Sequence, residues 1–270
     1  MAQFNQTPDG DRFLEQMDRQ LAGWDDPAAR LTQALEGDEL ELYAQPILAL
    51  RPPEGFQIAE LLVRLREEEA ALLPPGEFLP VFEHCGMMPE LDRWVARHAV
   101  ARLARGSRVP RLSINVSAQT LGDADFAPEI AAELARVRVR SESLVFEIDE
   151  NDALARPDSA AGFAASMKAI GCRLLIDGFG RRSVSFAPLK ALRVDYVKVD
   201  GVIVRKLASS EIARTKLNAI VRVGDVIGVS VIAECVEQPE ALELLRAAGV
   251  GYAQGFGIRI PAPIDEITAP

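Results

Sequence analysis

The sequence predicts an α/β fold, a modified (β/α)8 TIM-like barrel with one antiparallel strand. From Leu40 onward, eight short runs rich in Val, Ile and Leu alternate with longer amphipathic segments, and several of these segments end in glycine, as helix C-termini do. Eight strands joined by helical crossovers favour a closed barrel, and an open doubly wound sheet is the alternative.

The first two predicted strands differ from the others in how they are connected. LELYAQPILAL and FQIAELLVRL are separated only by a short turn with two prolines and Gly55, which predicts an antiparallel hairpin. The later strands are RLSINVS, LVFEIDE, RLLIDGF, YVKVDG, VSVIAECV and YAQGF. The helices between them are ELDRWVARHAVARLA, PEIAAELARVR, AGFAASMKAIG, IARTKLNAIVRVGDVIG and PEALELLRAAG.

The segment before the first strand is polar and helical in pattern. FLEQMDRQL forms one stretch, and Pro27 after two aspartates indicates the start of a second helix. We therefore assign residues 1–36 to an N-terminal helical extension outside the barrel and residues 37–270 to the barrel domain.

Composition limits the class of protein. The chain has 270 residues and a net charge of −10, which argues against a nucleic-acid polymer as a partner. Its three cysteines are far apart, and its polar, acidic first residues lack the features of a signal peptide. No apolar run is long enough to span a membrane, so we expect a cytoplasmic protein with reduced thiols.

Each predicted strand carries polar residues near its C-terminal end. In chain order they are Glu60, Asn115, Glu147, Glu150, Asp177, Lys198, Asp200, Glu234, Glu237 and Gln254. In a barrel these side chains meet at one rim, where barrel enzymes place their chemistry. An alternative explanation is that strand ends are polar simply because they meet solvent. That explanation accounts poorly for the recurrence of carboxylates, an amide and a lysine on nearly every strand.

Clustered carboxylates and an amide oxygen are the ligands that Mg²⁺ or Mn²⁺ prefers. Without a cation, such a cluster repels itself and its pKa values rise. Lys198 could stabilise a bound hydroxide or a phosphate oxygen, or form a salt bridge with Glu147 or Asp177. Only His84 and His98 are present and both lie after the second strand, so a histidine-based catalytic pair is not expected.

Nine motifs follow one another along the chain between about Leu40 and Pro261: AQPILAL, AELLVRL, PPGEFLPVFEHCGMMPELDRWV, LSINVSAQTL, FEIDE, IDGFG, VDYVKVDG, VIAECVE and YAQGF. Their order and spacing resemble those of EAL domains, and the name-giving triplet here is Glu60-Leu61-Leu62. The resemblance implies hydrolysis of cyclic di-GMP to linear pGpG with two Mg²⁺ or Mn²⁺ ions.

The resemblance implies a role for each site residue. The first metal would be held by Glu60, Asn115, Glu147 and Asp177, with Asp177 bridging to the second. Four residues would complete the catalytic group: Glu234 in the acidic cluster, Lys198 orienting the water, Gln254 beside them, and Glu150. The nucleotide would contact Gln45, Leu62, Arg64 at a phosphate and Glu237 at a guanine edge. Glu150 would anchor the loop after the fifth predicted strand.

That loop departs from the family pattern. Where the family has DDFGTGYSSL, this chain has DGFGRRSVSF, so Gly178 replaces the second aspartate. One cation site is therefore expected and the second is impaired, because two-metal hydrolysis needs two cations about 3.5–4 Å apart. Arg181 or Arg182 could clamp a phosphate in its place, or both could point into solvent. Cys235 replaces a family glycine and is expected to crowd its loop.

Three hypotheses follow. The first is a receptor that binds cyclic di-GMP with weak or lost phosphodiesterase activity. The second is a working, slower phosphodiesterase, since most of the catalytic set is present. The third is a protein-interaction module that has dropped the nucleotide. The resemblance also allows a homodimer, and a protein partner stays open.

Overall fold

In the computed structural model, which describes residues 26–37, 39–68, 71–73 and 75–270, eight strands close into a ring. The strands are β1 (Leu40–Ala49), β2 (Gly55–Glu68), β3 (Ala71–Leu73), β4 (Arg111–Val116), β5 (Leu144–Asp149), β6 (Arg173–Phe179), β7 (Tyr196–Val199), β8 (Ser230–Ala233), β9 (Tyr252–Ala253) and β10 (Ala262–Pro263). The ring runs β1-β9-β8-β7-β6-β5-β4-β2, and pairing of β1 with β2 closes it.

The direction of β1 distinguishes this barrel from a regular one. β1 is antiparallel to β2, from Leu40 opposite Leu65 to Ala49 opposite Gly55, and it is antiparallel to β9 as well. The remaining ring pairings are parallel. The predicted barrel with one antiparallel strand is therefore confirmed. The short strands β3 and β10, which pair with β2 and β1 outside the ring, were not predicted.

Helices connect the strands and cover the barrel. They are α1 (Pro27–Glu36), α2 (Pro75–His84), α3 (Met88–Ala104), α4 (Phe126–Val137), α5 (Glu150–Ala155), α6 (Pro157–Ala169), α7 (Ala187–Leu192), α8 (Gly201–Val204), α9 (Glu211–Ile227), α10 (Pro239–Ala247) and α11 (Ile264–Thr268). Short 3-10 turns lie at Thr120–Gly122 and Ser141–Ser143. None of the helices within the described ranges has the length and hydropathy of a membrane span.

The helix ends follow from local sequence. Asp26 caps α1 by accepting a hydrogen bond from the Ala29 amide at 3.0 Å, with Pro27 in the first turn, as predicted. α9 begins at a Ser210 cap and ends at Gly228, whose φ of +76° is the left-handed conformation that glycine adopts readily.

The helix α1 packs onto the barrel. Its Leu31 and Ala34 are fully buried within the large apolar layer between the strands and the surrounding helices. The predicted helix FLEQMDRQL lies outside the described residues. The division of the chain into residues 1–36 and 37–270 stays a prediction.

A second, smaller apolar cluster is formed by alternate residues of the ring strands. Its members are Ile47, Ile58, Val145, Leu175, Tyr196 and Ile232, with Tyr252 packed against them. Successive side chains of a strand point to opposite faces, so one set fills the barrel while the other packs under the helices. This inner layer closes the barrel below the rim.

Asp92 of α3 ties the segment after β4 to the helix layer. The side chain is buried, and its Oδ2 accepts hydrogen bonds from the Ser117 amide at 2.9 Å and the Thr120 hydroxyl at 2.6 Å. Burial raises the pKa of Asp92 to about 6, although these hydrogen bonds act in the opposite direction. The carboxyl therefore holds a proton in the folded chain at pH values where the unfolded chain has lost it.

This raised pKa predicts a pH dependence of stability. Between about pH 4 and 6 the folded state binds more protons at Asp92 than the unfolded state, so its contribution to the free energy of unfolding falls as the pH rises. We expect Asp92→Asn to remove about 2 kcal/mol of that fall between pH 4.5 and 7. Urea unfolding at pH 4.5 and 7 measures it. Asp158→Asn, at an exposed helix position, is the matched control, and equal pH slopes for Asp92→Asn and the native chain would contradict the prediction.

Candidate functional site

The polar residues of the candidate site lie two positions beyond the inner apolar layer. The pairs are Ile58 and Glu60, Val145 and Glu147, Leu175 and Asp177, Tyr196 and Lys198, Ile232 and Glu234, and Tyr252 and Gln254. A spacing of two keeps both members of a pair on the same face of the strand. The strand pattern therefore carries these polar side chains to the mouth of the barrel, directly above its apolar filling.

Lys198 lies at the centre of this ring of side chains. Its ammonium contacts Glu147 Oε2 at 2.5 Å and Glu60 Oε2 at 2.9 Å, with Asp177 Oδ1 at 3.7 Å. Only 2% of the lysine side chain is exposed. Of the two predicted roles for Lys198, the salt bridge to Glu147 is present, and it extends to Glu60.

Two amides complete the hydrogen bonding of Glu60. Asn115 Nδ2 donates to Glu60 Oε1 at 2.9 Å, and Gln254 Nε2 donates to Glu60 Oε2 at 2.7 Å. Gln254 also contacts Gln45 Oε1 at 3.2 Å, which places β1 in the same network. Both oxygens of Glu60 are thus used, and the side chain is held in one position.

The charges in the ring do not balance. Burial raises the pKa of Glu147 to about 8, and the neighbouring charge of Glu60 adds to that effect against the pull of Lys198. Burial also raises the pKa of Asp177 and of Glu234. Burial acts in the same direction on Glu60, but Lys198 and the two amides hold its pKa below the ordinary value. One lysine therefore stabilises only part of the negative charge gathered here.

Two oxygens of the ring have no hydrogen-bond partner among the described residues: Glu147 Oε1 and Asp177 Oδ1. With Asn115 and Glu60 beside them, these groups form a set of hard oxygen donors that suits one Mg²⁺ or Mn²⁺ ion. As the side chains stand, no three acidic, His or Cys residues of the described ranges have the spacing of a metal site. The ammonium of Lys198 lies between Glu60 and Glu147 and brings positive charge to them.

A cavity of about 200 Å³ opens beside this ring. Its lining includes Gln45, Glu60, Arg205, Glu234, Cys235, Glu237, Gln254 and Phe256. Glu237 is 57% exposed and pairs with Arg205 at 3.5 Å. Five of the predicted site residues therefore line the same cavity: Gln45, Glu60, Glu234, Glu237 and Gln254.

The remaining predicted nucleotide contacts lie farther along β2. Leu62 lines a separate, mostly apolar cavity of about 190 Å³, together with Asn115 and Asp92. The Arg64 guanidinium donates to the Val63 carbonyl at 2.8 Å and lies 5.3 Å from the centre of the Tyr43 ring. Arg64 is thus held against its own hairpin and makes no contact with the carboxylate ring.

Glu150 supports the loop after β6. Its Oε2 accepts a hydrogen bond from the Gly180 amide at 3.1 Å, and the side chain is buried at the start of α5. The side chain holds the loop and does not face the cavity, so its action on any chemistry would be indirect.

Arg181 of this loop is part of the site. Its guanidinium pairs with Asp200 at 2.6 Å and Asp149 at 3.3 Å and lies against Gly178. The hydrogen bond with Asp200 raises the pKa of Arg181, and the charges of Asp149 and Asp177 act in the same direction. The alternative in which both arginines point freely into solvent is therefore wrong for Arg181, because three carboxylates attract it. Arg182 is exposed.

Cys235 lies in the loop after β8, directly against Gly201. It adopts the left-handed conformation with φ +55°, and its sulfur accepts a hydrogen bond from Arg205 at 3.0 Å. A Cβ at position 201 would lie 2.8 Å from the cysteine sulfur, so Gly201 makes the room that Cys235 needs. The Gly201 amide also donates to Glu234 Oε1 at 2.8 Å. Because Gly201 has no side chain, it leaves the space that Cys235 fills, and its amide still donates to Glu234.

Sequence reasoning missed three residues of the site: Asp149, Arg205 and Phe256. Asp149 lies within the FEIDE motif, between Ile148 and Glu150, so the sequence contained a signal for it. Phe256 is 68% exposed although it is aromatic, and it lines the cavity. No pattern in the sequence marks Arg205, which reaches the cavity from the end of α8.

The whole architecture matches a known family. The family model for the EAL domain matches residues 28–261. Cyclic di-GMP phosphodiesterase PdeB of Shewanella oneidensis is 33% identical over 240 residues, which are 88% of this chain and 28% of that protein. Cyclic di-GMP phosphodiesterase PdeF of Escherichia coli is 32% identical over 238 residues, which are 87% and 32%. The chain thus spans about a third of the length of these curated relatives.

Solved structures agree with this match. The FimX EAL domain of Pseudomonas aeruginosa bound to c-di-GMP has a TM-score of 0.79 and 30% identity, covering 88% of this chain and 96% of that one. The PaMucR phosphodiesterase in complex with c-di-GMP has a TM-score of 0.80 and 27% identity, covering 89% and 98%. With the barrel, the ring of rim residues and the family match in agreement, this chain belongs to the EAL domain family.

Proposed function

We propose that this domain binds cyclic di-GMP and has weak or lost phosphodiesterase activity, and that it acts as a second-messenger receptor. The observation that carries the proposal is the pair Gly178 and Arg181. A guanidinium lies where the family pattern has a second aspartate, while the rest of the ring is retained. The domain thus keeps its groups for binding and lacks one needed for two-metal chemistry.

The binding surface is the rim around the 200 Å³ cavity. Glu237 offers a carboxylate to a guanine edge, and Gln45 and Gln254 line the same cavity. Arg64 and Leu62 lie along β2, on the same strand as Glu60. The solved structures of FimX and PaMucR, which contain bound c-di-GMP, support the choice of ligand.

A divalent cation fits one part of the rim. Glu60, Asn115, Glu147 and Asp177 would hold Mg²⁺ or Mn²⁺, which when bound polarises a phosphate oxygen and lowers the pKa of bound water. Lys198 offsets the carboxylate charge, and Gln254 keeps Glu60 oriented. A second cation does not fit, because Gly178 offers no ligand and Arg181 already pairs with Asp149 and Asp200.

An active phosphodiesterase is the second candidate. The presence of Lys198, Glu234 and Gln254 beside the four first-site ligands favours it, as do the names of the relatives. Both candidates require the same bound nucleotide and differ in turnover alone.

Binding and turnover can be measured separately. We expect titration calorimetry with cyclic di-GMP in Mg²⁺ to show one binding event. Chromatography should show pGpG forming at least about a hundredfold more slowly than with PdeF, because a missing catalytic ligand costs orders of magnitude in rate. Rapid pGpG formation would favour the active enzyme. Absence of heat at high micromolar nucleotide would favour an interaction module that does not bind it.

Lys198→Met tests the cation site directly. Without the ammonium, Glu60 and Glu147 lose the one cation that contacts them among the described residues, so we expect the free energy of unfolding in EDTA to fall by about 3 kcal/mol. Adding Mg²⁺ should recover part of this loss, since the ion would neutralise the same oxygens. Chemical denaturation with and without Mg²⁺ measures both effects. Lys190→Met on the exposed side of α7 is the control, and a loss that Mg²⁺ does not change would count against the metal site.

A further inference from the structure

We propose that Arg181 is a built-in cation that replaces the second divalent ion of the site and binds a phosphate oxygen of the nucleotide. The proposal rests on the proposed function for the identity of the ligand. Its structural part, the exclusion of a second ion, stands on the geometry of the loop after β6.

The guanidinium is held by two carboxylates that are themselves fixed. Asp149 caps α5 through Oδ1, which accepts from the Asn151 amide at 2.7 Å, and Asp200 caps α8 through Oδ1, which accepts from the Val202 amide at 2.8 Å. Each uses its other oxygen, Oδ2, for Arg181. The helix caps thus set the positions of both acceptors, and two acceptors on different strands set the position of the guanidinium.

The side chains at positions 178 and 181 exclude each other in this arrangement. A Cβ at Gly178 would lie 2.8 Å from Arg181 Nη2 and 3.0 Å from Cζ, and 3.3 Å from Asp149 Oδ2. Gly178 also has φ +66°, the left-handed conformation that glycine adopts most readily. A carboxylate at position 178 would therefore require the end of the Arg181 side chain to move from its present place, which links the two departures from the family pattern.

The free donors of Arg181 are available to a ligand. Nε and Nη1 hold the carboxylates, while Nη2 has no hydrogen-bond acceptor among the described residues and lies over Gly178. The side chain is 46% exposed. Guanidinium stays protonated at all physiological pH values and donates in a planar fork that matches phosphate oxygens. It supplies positive charge for binding and cannot generate hydroxide from water as a metal does.

The experiment counts bound Mn²⁺ by electron paramagnetic resonance in the presence and absence of cyclic di-GMP. Four variants are compared with the native domain: Gly178→Asp, Arg181→Ala, Gly178→Asp with Arg181→Ala, and Arg182→Ala as the matched control. We expect one Mn²⁺ per chain for the native domain, for Gly178→Asp and for the control. Only the double variant should bind two, because only there is the ligand restored and the guanidinium removed.

Affinity for the nucleotide is the second measurement. In Mg²⁺, calorimetry should show that Arg181→Ala weakens cyclic di-GMP binding at least about tenfold, whereas Arg182→Ala stays within about twofold. Arg181→Gln, which keeps the length of the side chain, should behave like Arg181→Ala, and thermal melts confirm that all variants fold. If both Arg181 variants bind cyclic di-GMP with the affinity of the native domain, Arg181 does not contact a phosphate and only stabilises the loop after β6.

The two proposals fail in different ways. If the native domain binds no cyclic di-GMP, the proposed function is wrong, and the Mn²⁺ counts without nucleotide still decide the role of Arg181. Two Mn²⁺ ions in the native domain, or in Gly178→Asp alone, would overturn the exclusion of a second ion, whatever the affinity for the nucleotide.

Discussion

The crowding of carboxylates at the mouth of the barrel is the constraint on which the rest of the site depends. Glu60, Glu147 and Asp177 lie around a single buried ammonium, Lys198. Buried like charges are costly unless they are compensated. A carboxylate of this ring can be compensated in three ways: by a hydrogen bond, by taking up a proton, or by a nearby positive charge. Asn115 and Gln254 hydrogen-bond to Glu60, and the raised pKa of Glu147 favours a proton on its carboxyl group. Arg181 brings a further positive charge that interacts with Asp177.

Much of this arrangement is legible in the sequence, for a simple physical reason. A strand inside a barrel has a period of two, and here apolar residues such as Val145 and Leu175 precede Glu147 and Asp177 by two positions. That pattern predicts which polar residues face inward and which rim they reach. The ring of eight strands was predicted from the alternation of apolar and amphipathic runs, and the antiparallel β1 from the short turn before Gly55.

The parts that could not be predicted are set by loops and long side chains. The side-chain conformations of Arg181 and Arg205 depend on Asp200 and Glu237, which lie in other loops. The local sequence around each arginine does not predict these ion pairs. The Arg64 side chain likewise lies against the Val63 carbonyl and the Tyr43 ring, and its contact with a phosphate stays a prediction. β3 and β10 are too short to give a periodic signal.

Gly178 by itself looks like the simple loss of a ligand, but the geometry argues for an exchange. Removing a carboxylate and a divalent ion together while adding a guanidinium changes the local charge by −(−1) − (+2) + (+1), which is zero. Asp149 and Asp200 still have a cation between them, so the folded loop keeps its electrostatic balance without metal. What the exchange removes is the Lewis acidity that activates water, while directional donors for a phosphate remain. A domain altered in this way would keep the means to recognise the nucleotide and give up the means to hydrolyse it quickly.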